Sequence, residues 1–103
     1  MTESEFLDAS DAVFAKIEAA LDEVDFDVDT LRAGNVLEIE FEDGSKVIVN
    51  RHSANHEIWL AARSGGFHYR WNGSAWCNTR SEGEMFADIA TAIAAHAGEA
   101  FSF

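Results

Sequence analysis

The chain has 103 residues, of which 48% are hydrophobic, so it is long enough to form one domain around one core. Nineteen Asp and Glu residues against seven Lys and Arg give a formal net charge of −12. A surface this acidic repels nucleic acids and anionic membranes, and it attracts metal cations and basic protein surfaces.

The N-terminus and the cysteine count indicate a cytoplasmic protein. No apolar run approaches the roughly 18 residues that a transmembrane helix needs. The first residues, Met1-Thr2-Glu3-Ser4-Glu5, are acidic where a signal peptide is basic. Cys77 is the only cysteine, which excludes an internal disulfide and a multi-cysteine zinc site and fits a reducing compartment.

Residues 3–24 are predicted to form an amphipathic helix that begins with a capping box of Thr2 and Glu5. Its apolar residues recur at helical spacing, and they are Phe6, Val13, Ile17, Leu21 and Val24. Acids occupy the opposite side, where like charges at this spacing destabilise a helix by about 0.2–0.5 kcal/mol per pair. A helix selected for stability alone would carry lysines there.

Period-two alternation and turn signals then predict five antiparallel strands at residues 36–41, 46–50, 56–63, 67–71 and 75–78. Short connections favour a meander. In the third strand Ile58 and Leu60 share one face, and Trp59 points to the other. A second helix is predicted over residues 82–97, with Ser81 and Glu84 as its capping box and Gly98 at its C-terminal end.

These elements predict an α+β fold, an α-β-α two-layer sandwich in one domain over residues 1–103. Its two terminal helices would pack on one face of a five- to six-stranded antiparallel sheet. The other face would meet solvent, which makes an outward Trp59 unusual. Phe101 and Phe103 end the chain, so we expect the tail to pack.

The acidic segment 22–29 offers the oxygen ligands that hard cations prefer. It begins like an EF-hand loop, but Thr30 stands where that loop needs Gly, and Val36 stands where it needs Glu. The mismatch at both positions argues against a tight, specific calcium site. Two interpretations stay open, a weak and open multi-ion surface or a solvated acidic face.

No catalytic constellation is present, so we expect a binding protein and not an enzyme. The four histidines show no metal-protease spacing, and Cys77 has no neighbouring base, which favours a buried, inert thiol. Trp59 is either an interface anchor or is covered by the tail or a loop. Asn50, Arg51 and Arg63 are predicted to converge with it on the open sheet face.

Taken together, these blocks of sequence resemble the frataxin family, and most closely its bacterial branch, the CyaY proteins. The resemblance covers the whole chain. It is carried by Ser4-Glu-Phe6, Leu37-x-Ile-x-Phe-Glu-Asp-Gly-Ser-Lys46, Ile48-Val-Asn-Arg51, Ile58-Trp-Leu-Ala61, Gly65-Gly-Phe-His68 and the closing segments Ala97-Gly-Glu99 and Ser102-Phe103.

The resemblance implies weak, surface-bound iron (Fe2+/Fe3+), and docking on the cysteine desulfurase and scaffold machinery of iron–sulfur cluster assembly. It implies a regulator, with iron donation as a further possible role, that is a monomer able to form oligomers with iron. The implied metal ligands, called the acidic ridge below, are Glu3, Glu5, Asp11, Glu18, Asp22, Glu23, Asp25, Asp27 and Asp29. The implied partner-binding residues are Glu18, Asp22, Asn50, Arg51 and Trp59.

Two positions depart from the family pattern. Leu7 stands where some bacterial members have a histidine, and His52-Ser-Ala54 stands where the family often has Gln-x-Pro. An alternative function is an acidic interaction module that inhibits a basic partner enzyme, with metal binding incidental. An iron oxidase or storage protein would need a buried di-iron Glu-x-x-His pair, which the sequence lacks.

Overall fold

Two helices enclose six strands in chain order, as a computed structural model of residues Met1–Phe103 shows. The elements are α1 (Glu3–Leu21), β1 (Val28–Ala33), β2 (Val36–Phe41), β3 (Lys46–His52), β4 (Glu57–Ala62), β5 (Gly65–Trp71), β6 (Trp76–Asn78) and α2 (Met85–Ala97). All strands form one antiparallel sheet in the order β1-β2-β3-β4-β5-β6. The predicted fold class is confirmed.

One continuous core of 18 buried residues lies between the sheet and the two helices. Alternate residues of the central strands face this core, for example Val47 and Val49 in β3 and Ile58 and Leu60 in β4. The Tyr69 hydroxyl, on β5, donates a hydrogen bond of 2.7 Å to Oδ2 of Asp88 and so ties the sheet to α2. Both helices therefore cover the same face, and the opposite face is left open.

Helix α1 begins as predicted and ends earlier. Its capping box is present, since the Thr2 N–H donates to Oε1 of Glu5 at 2.8 Å and the Glu5 N–H donates to Oγ1 of Thr2 at 3.1 Å. The helix stops at Leu21 with Asp22 as its C-cap, so the predicted end at residue 24 is wrong. Val24 packs against the core from outside the helix, which is why it extended the apolar pattern.

Strand β1 has no counterpart among the strands predicted from the sequence. This edge strand pairs only with β2, and five of its six residues are exposed. It lacks the alternation of buried apolar residues that identifies a strand in a sequence, because neither of its faces is buried. It places Arg32 beside α1 at the edge of the sheet, while Asp29 lies on the opposite face of the strand.

Helix α2 starts three residues later than predicted. Its N-cap is Glu84, whose carboxylate accepts from the N–H of Phe86 at 2.9 Å and of Ala87 at 3.2 Å. The predicted cap Ser81 lies in the preceding turn, where its hydroxyl accepts from the N–H of Gly83. The tail packs as predicted, with the Phe103 ring 5.1 Å from that of Phe86. No helix has both the length and the apolar character of a membrane span.

Candidate functional site

The middle of the acidic ridge is neutralised by two arginines of the sheet. Arg32 and Arg51 lie on the helix-facing side of β1 and β3, and both guanidinium groups form ion pairs with Asp11. Arg32 also lies 4.0 Å from Oε1 of Glu18. Hydrogen bonding from Arg51 lowers the pKa of Asp11, and the nearby Arg32 adds to the effect. Asp11 is thus committed to contacts within the fold.

Glu5 is also committed, because its carboxylate accepts the Thr2 N–H in the capping box. This hydrogen bond from the Thr2 backbone lowers the pKa of Glu5. Glu3, two residues before Glu5, is exposed and takes part in no ion pair. The first turn of α1 therefore contributes one free carboxylate to the ridge.

The largest group of free acids runs from the C-cap of α1 to the second residue of β1. Five exposed carboxylates with no ion-pair partner follow one another there, namely Asp22, Glu23, Asp25, Asp27 and Asp29. The last turn of α1 holds no basic residue. Because a helix C-terminus is itself negative, the carboxylate of Asp22 at the C-cap adds to the helix dipole instead of opposing it. We call these five residues the free acidic segment.

One further acid reaches this segment from the other end of the chain. Glu99 lines a shallow depression together with Glu23 and Asp25, and its volume is about 330 Å³. The sequence analysis missed Glu99 as a candidate. The apolar tail that follows Glu99 in the sequence could have indicated its position. A tail that packs on the core brings Glu99 close to the end of α1.

These acids do not form a closed metal centre. The structure brings no three Asp, Glu, His or Cys side chains into a group that could hold one metal ion. The free acidic segment instead presents exposed carboxylate oxygens along a surface, where they remain hydrated. Such an arrangement suits weak binding of hard cations that retain part of their hydration.

The open face of the sheet carries a second candidate surface around Trp59. Trp59 lies on this face as predicted, directly across from Asn50 on β3 and His68 on β5. The tail does not cover it, because Phe103 packs against Phe86 on the helix side. Instead the indole stacks between His52 and His68, at ring-centroid distances of 4.4 and 4.2 Å.

The predictions that Arg51 and Arg63 join this surface are wrong. Arg51 follows Val47 and Val49 on the helix-facing side of β3 and reaches Asp11 and Ser10 of α1. Arg63 follows β4, where its guanidinium lies 3.3 Å from Asp43 and its N–H donates to Nε2 of His96. Of the proposed polar neighbours, only Asn50 shares the open face with Trp59.

Glu57 is the residue beneath Trp59 that the sequence analysis missed. It is only 6% exposed, although it lies on the open face of the sheet. Its carboxylate accepts from Nε1 of Trp59 at 2.9 Å, and it forms an ion pair with Arg70 at an Nε–Oε2 distance of 3.2 Å. The same carboxylate lies 3.7 Å from Nδ1 of His68. Trp59 is therefore held both by its ring faces and by its indole nitrogen.

Comparisons with known proteins agree on one family. Residues 1–99 match the model of the frataxin-like domain. The chain is 58% identical over 103 residues to the iron–sulfur cluster assembly protein CyaY of Chromobacterium violaceum, covering 100% of this chain and 98% of that protein. It is 50% identical to the CyaY protein of Dechloromonas aromatica, covering 97% and 96% of the two chains.

A solved structure shows the same fold. The frataxin from Psychromonas ingrahamii, studied for stability modulation within the CyaY family, superposes with a TM-score of 0.91 at 35% identity. The match covers 99% of this chain and 97% of that one. The sheet, both helices and the positions of the two candidate surfaces therefore lie within the matched part.

Proposed function

This chain belongs to the frataxin family, and from that premise we propose that it regulates iron–sulfur cluster assembly through weakly bound iron and docking on cysteine desulfurase. Relatives that share half or more of its residues over nearly the whole chain are named as iron–sulfur cluster assembly proteins. We propose that the chain acts by binding. Iron is its cargo, and donation of that iron to the assembly machinery is a second possible role.

The observation that supports iron binding most directly is the free acidic segment. Its five carboxylates have no cation partner, and the first of them, that of Asp22, caps the negative end of α1. Hard iron cations favour carboxylate oxygens, and exposed ligands bind them weakly because both partners remain hydrated. Asp11 and Glu5 contribute less, since their carboxylates already accept hydrogen bonds within the fold.

The proposed docking uses two surfaces of opposite character. Glu18 and Asp22 of the ridge would meet a basic face of the desulfurase, which speeds association and makes it sensitive to salt. Charge alone gives little selectivity, so we assign the shape-dependent contact to Asn50 and Trp59 on the open face. Arg51 has no direct part in this proposal, because its guanidinium is engaged with Asp11.

The iron site can be tested by anaerobic Fe2+ titration followed by NMR. We expect line broadening to centre on residues 22–29 and the adjoining end of α1, and the triple variant Asp22→Asn, Asp25→Asn, Asp27→Asn to abolish most of it. Glu82→Gln is the matched control, because Glu82 is an exposed acid in the turn before α2. Broadening centred on His96 or Cys77 would contradict the assignment.

The docking proposal can be tested in an assembly assay with purified desulfurase and scaffold at several iron concentrations. Reversing Glu18 and Asp22 to Lys should weaken desulfurase binding strongly and flatten its dependence on ionic strength. Glu82→Lys serves as the control for nonspecific charge effects. Unchanged binding by the double reversal would exclude the ridge as the docking surface.

The alternative function, an inhibitory module for a basic partner with incidental metal binding, draws support from one observation. No three ligands converge on a single metal position in the structure. The two functions differ in one measurable respect, because only an iron-responsive regulator changes its effect on the desulfurase when iron is added. Equal inhibition at all iron concentrations would favour the alternative.

A further inference from the structure

Three parallel rings, one from each of three neighbouring strands, cross the open face of the sheet. His52 of β3, Trp59 of β4 and His68 of β5 are inclined to their neighbours by only 4° and 6°. Their centroid distances, 4.4 and 4.2 Å, are close to the spacing of strands in a sheet, about 4.8 Å. The ring planes thus face along the sheet, and an imidazole covers each face of the indole.

Glu57 fixes the rotation of the indole within this stack. The buried carboxylate accepts the indole N–H at 2.9 Å, while the Arg70 guanidinium pairs with its other oxygen at 3.2 Å. A buried carboxylate is stable only when a donor or an opposite charge compensates it, so Glu57, Trp59 and Arg70 depend on one another. With its faces and its nitrogen occupied, Trp59 has only a ring edge left to offer to a binding partner.

His52 has no hydrogen-bonding reason for its position. Its Nδ1 atom is buried and has no partner, which costs stability and is rare in folded proteins. The contact that its ring does make is the stack on Trp59. The stack on Trp59 is therefore the contact that accounts for the position of the His52 ring.

We propose that His52 and His68 are positioning residues that hold Trp59 edge-on for the cysteine desulfurase, an inference that rests on the proposed docking of Trp59 on that enzyme. An unclamped tryptophan can rotate into a pocket or stack flat on a partner. The clamped indole instead forms a fixed ridge of ring edges, flanked by Asn50 and by Arg70, whose side chain is 63% exposed. The partner must match this ridge in shape.

The test compares stacking and non-stacking replacements of both histidines. His52→Gln with His68→Gln removes the rings and keeps polar side chains, whereas His52→Phe with His68→Phe keeps the rings and removes the nitrogens. NMR of the Trp59 indole N–H reports its order without any partner, and titration with desulfurase and scaffold reports binding. Melting curves confirm that each variant folds, and the single His52→Gln variant is used if the pair does not.

We expect the Gln pair to shift the Trp59 indole resonance, to speed its hydrogen exchange and to weaken partner binding about two- to tenfold. The Phe pair should stay close to wild type in all three measurements. An indole resonance and exchange rate unaltered by the Gln pair would overturn the inference, as would a Phe pair as weak as the Gln pair. If Trp59→Ala leaves binding unchanged while the Gln pair still disorders the indole, the docking proposal fails and the clamp is structural only.

Discussion

His96 joins three segments that are far apart in the chain. Its Nε2 accepts the N–H of Arg63 at 3.2 Å, and its Nδ1 lies 2.9 Å from the hydroxyl of Ser45. Because Nε2 is an acceptor here, the proton of the neutral ring resides on Nδ1. The Ser45 hydroxyl in turn donates a hydrogen bond of 2.6 Å to Oδ1 of Asp43. The neutral imidazole of His96 therefore connects the β2–β3 turn and the β4–β5 turn to the end of α2.

We predict that this arrangement makes the fold sensitive to mild acid. Burial lowers the pKa of His96 from its ordinary value of 6.5, and the Arg63 charge lowers it further. The unfolded chain therefore takes up this proton before the folded chain does. The stabilisation is complete above pH 6.5 and is lost as the pH falls through the folded pKa.

Urea unfolding between pH 7.5 and 5 measures this effect. His96→Gln should lower the free energy of unfolding at neutral pH by roughly 1–3 kcal/mol, since it leaves a buried N–H poorly paired. It should also reduce the loss of stability on acidification, because its side chain does not titrate. An equal slope in the variant and the wild type would mean that another group controls the acid response.

Single residues differ in how far the sequence predicts them. His96 borders the apolar stripe of α2, and this position in the sequence is consistent with its 7% exposure. The alternation Val47, Val49, Arg51 already predicts that Arg51 lies on the helix-facing side of the sheet. The prediction for Arg51 was wrong because it grouped polar residues by type and did not follow this alternation. The burial of Glu57 was not available, since it depends on cross-strand register with Arg70.

Helix α1 carries two classes of acid that look alike in the sequence. Asp11 is paired with Arg32 and Arg51, which anchor the helix to β1 and β3. Asp22 and Asp25 have no cation within ion-pair distance and repel the negative end of the helix. The first class stabilises the packing of α1 on the sheet, and the second opposes folding.

We therefore predict opposite effects for the same chemical change at these positions. Asp22→Asn with Asp25→Asn should raise the melting temperature of the metal-free protein by about 1–4 °C, because it removes like-charge repulsion. Asp11→Asn should lower the melting temperature, because both arginines lose their charged partner. Calorimetry at low salt checks both variants, and a lower melting temperature in the double variant would show that those carboxylates serve as structural caps.

Elements were predictable where one of their faces is buried and apolar. Strands β2 to β6 were all predicted, because each sends apolar side chains into the core. β1 was missed because it is held by backbone pairing along the edge of the sheet and not by buried side chains. Such a strand has no alternation of apolar and polar residues in its sequence. The end of α1 was placed too late for the opposite reason, since Val24 continues the apolar pattern without continuing the helix.

The charge of the whole molecule is unevenly compensated. Six ion pairs of Lys or Arg with acids lie along the sheet and the middle of α1, while the free acidic segment has none. With a net charge of −12, self-repulsion at that end lowers the stability of the folded state. The free acidic segment is thus the part of the molecule through which salt and cations affect the stability of the folded state most.

We predict that added cations raise the melting temperature by two separable routes. Sodium chloride screens the repulsion, since the Debye length falls to about 10 Å at 0.1 M. Divalent cations at the same ionic strength should raise it further, because they bind the folded state. The extra rise should shrink in the Asp22→Asn, Asp25→Asn, Asp27→Asn variant, and a full divalent effect in that variant would place the stabilising ions elsewhere.

The strand order β1-β2-β3-β4-β5-β6 has a consequence for synthesis on the ribosome. Each strand pairs with the strand made just before it, so the sheet can grow hairpin by hairpin while translation proceeds. Helix α2, however, is made after all six strands, and the side of the sheet that it covers stays exposed to the cell until the ribosome releases it. We therefore expect the nascent chain to need chaperone protection over this last interval, and a stop codon before Met85 to yield aggregates and not a smaller folded domain.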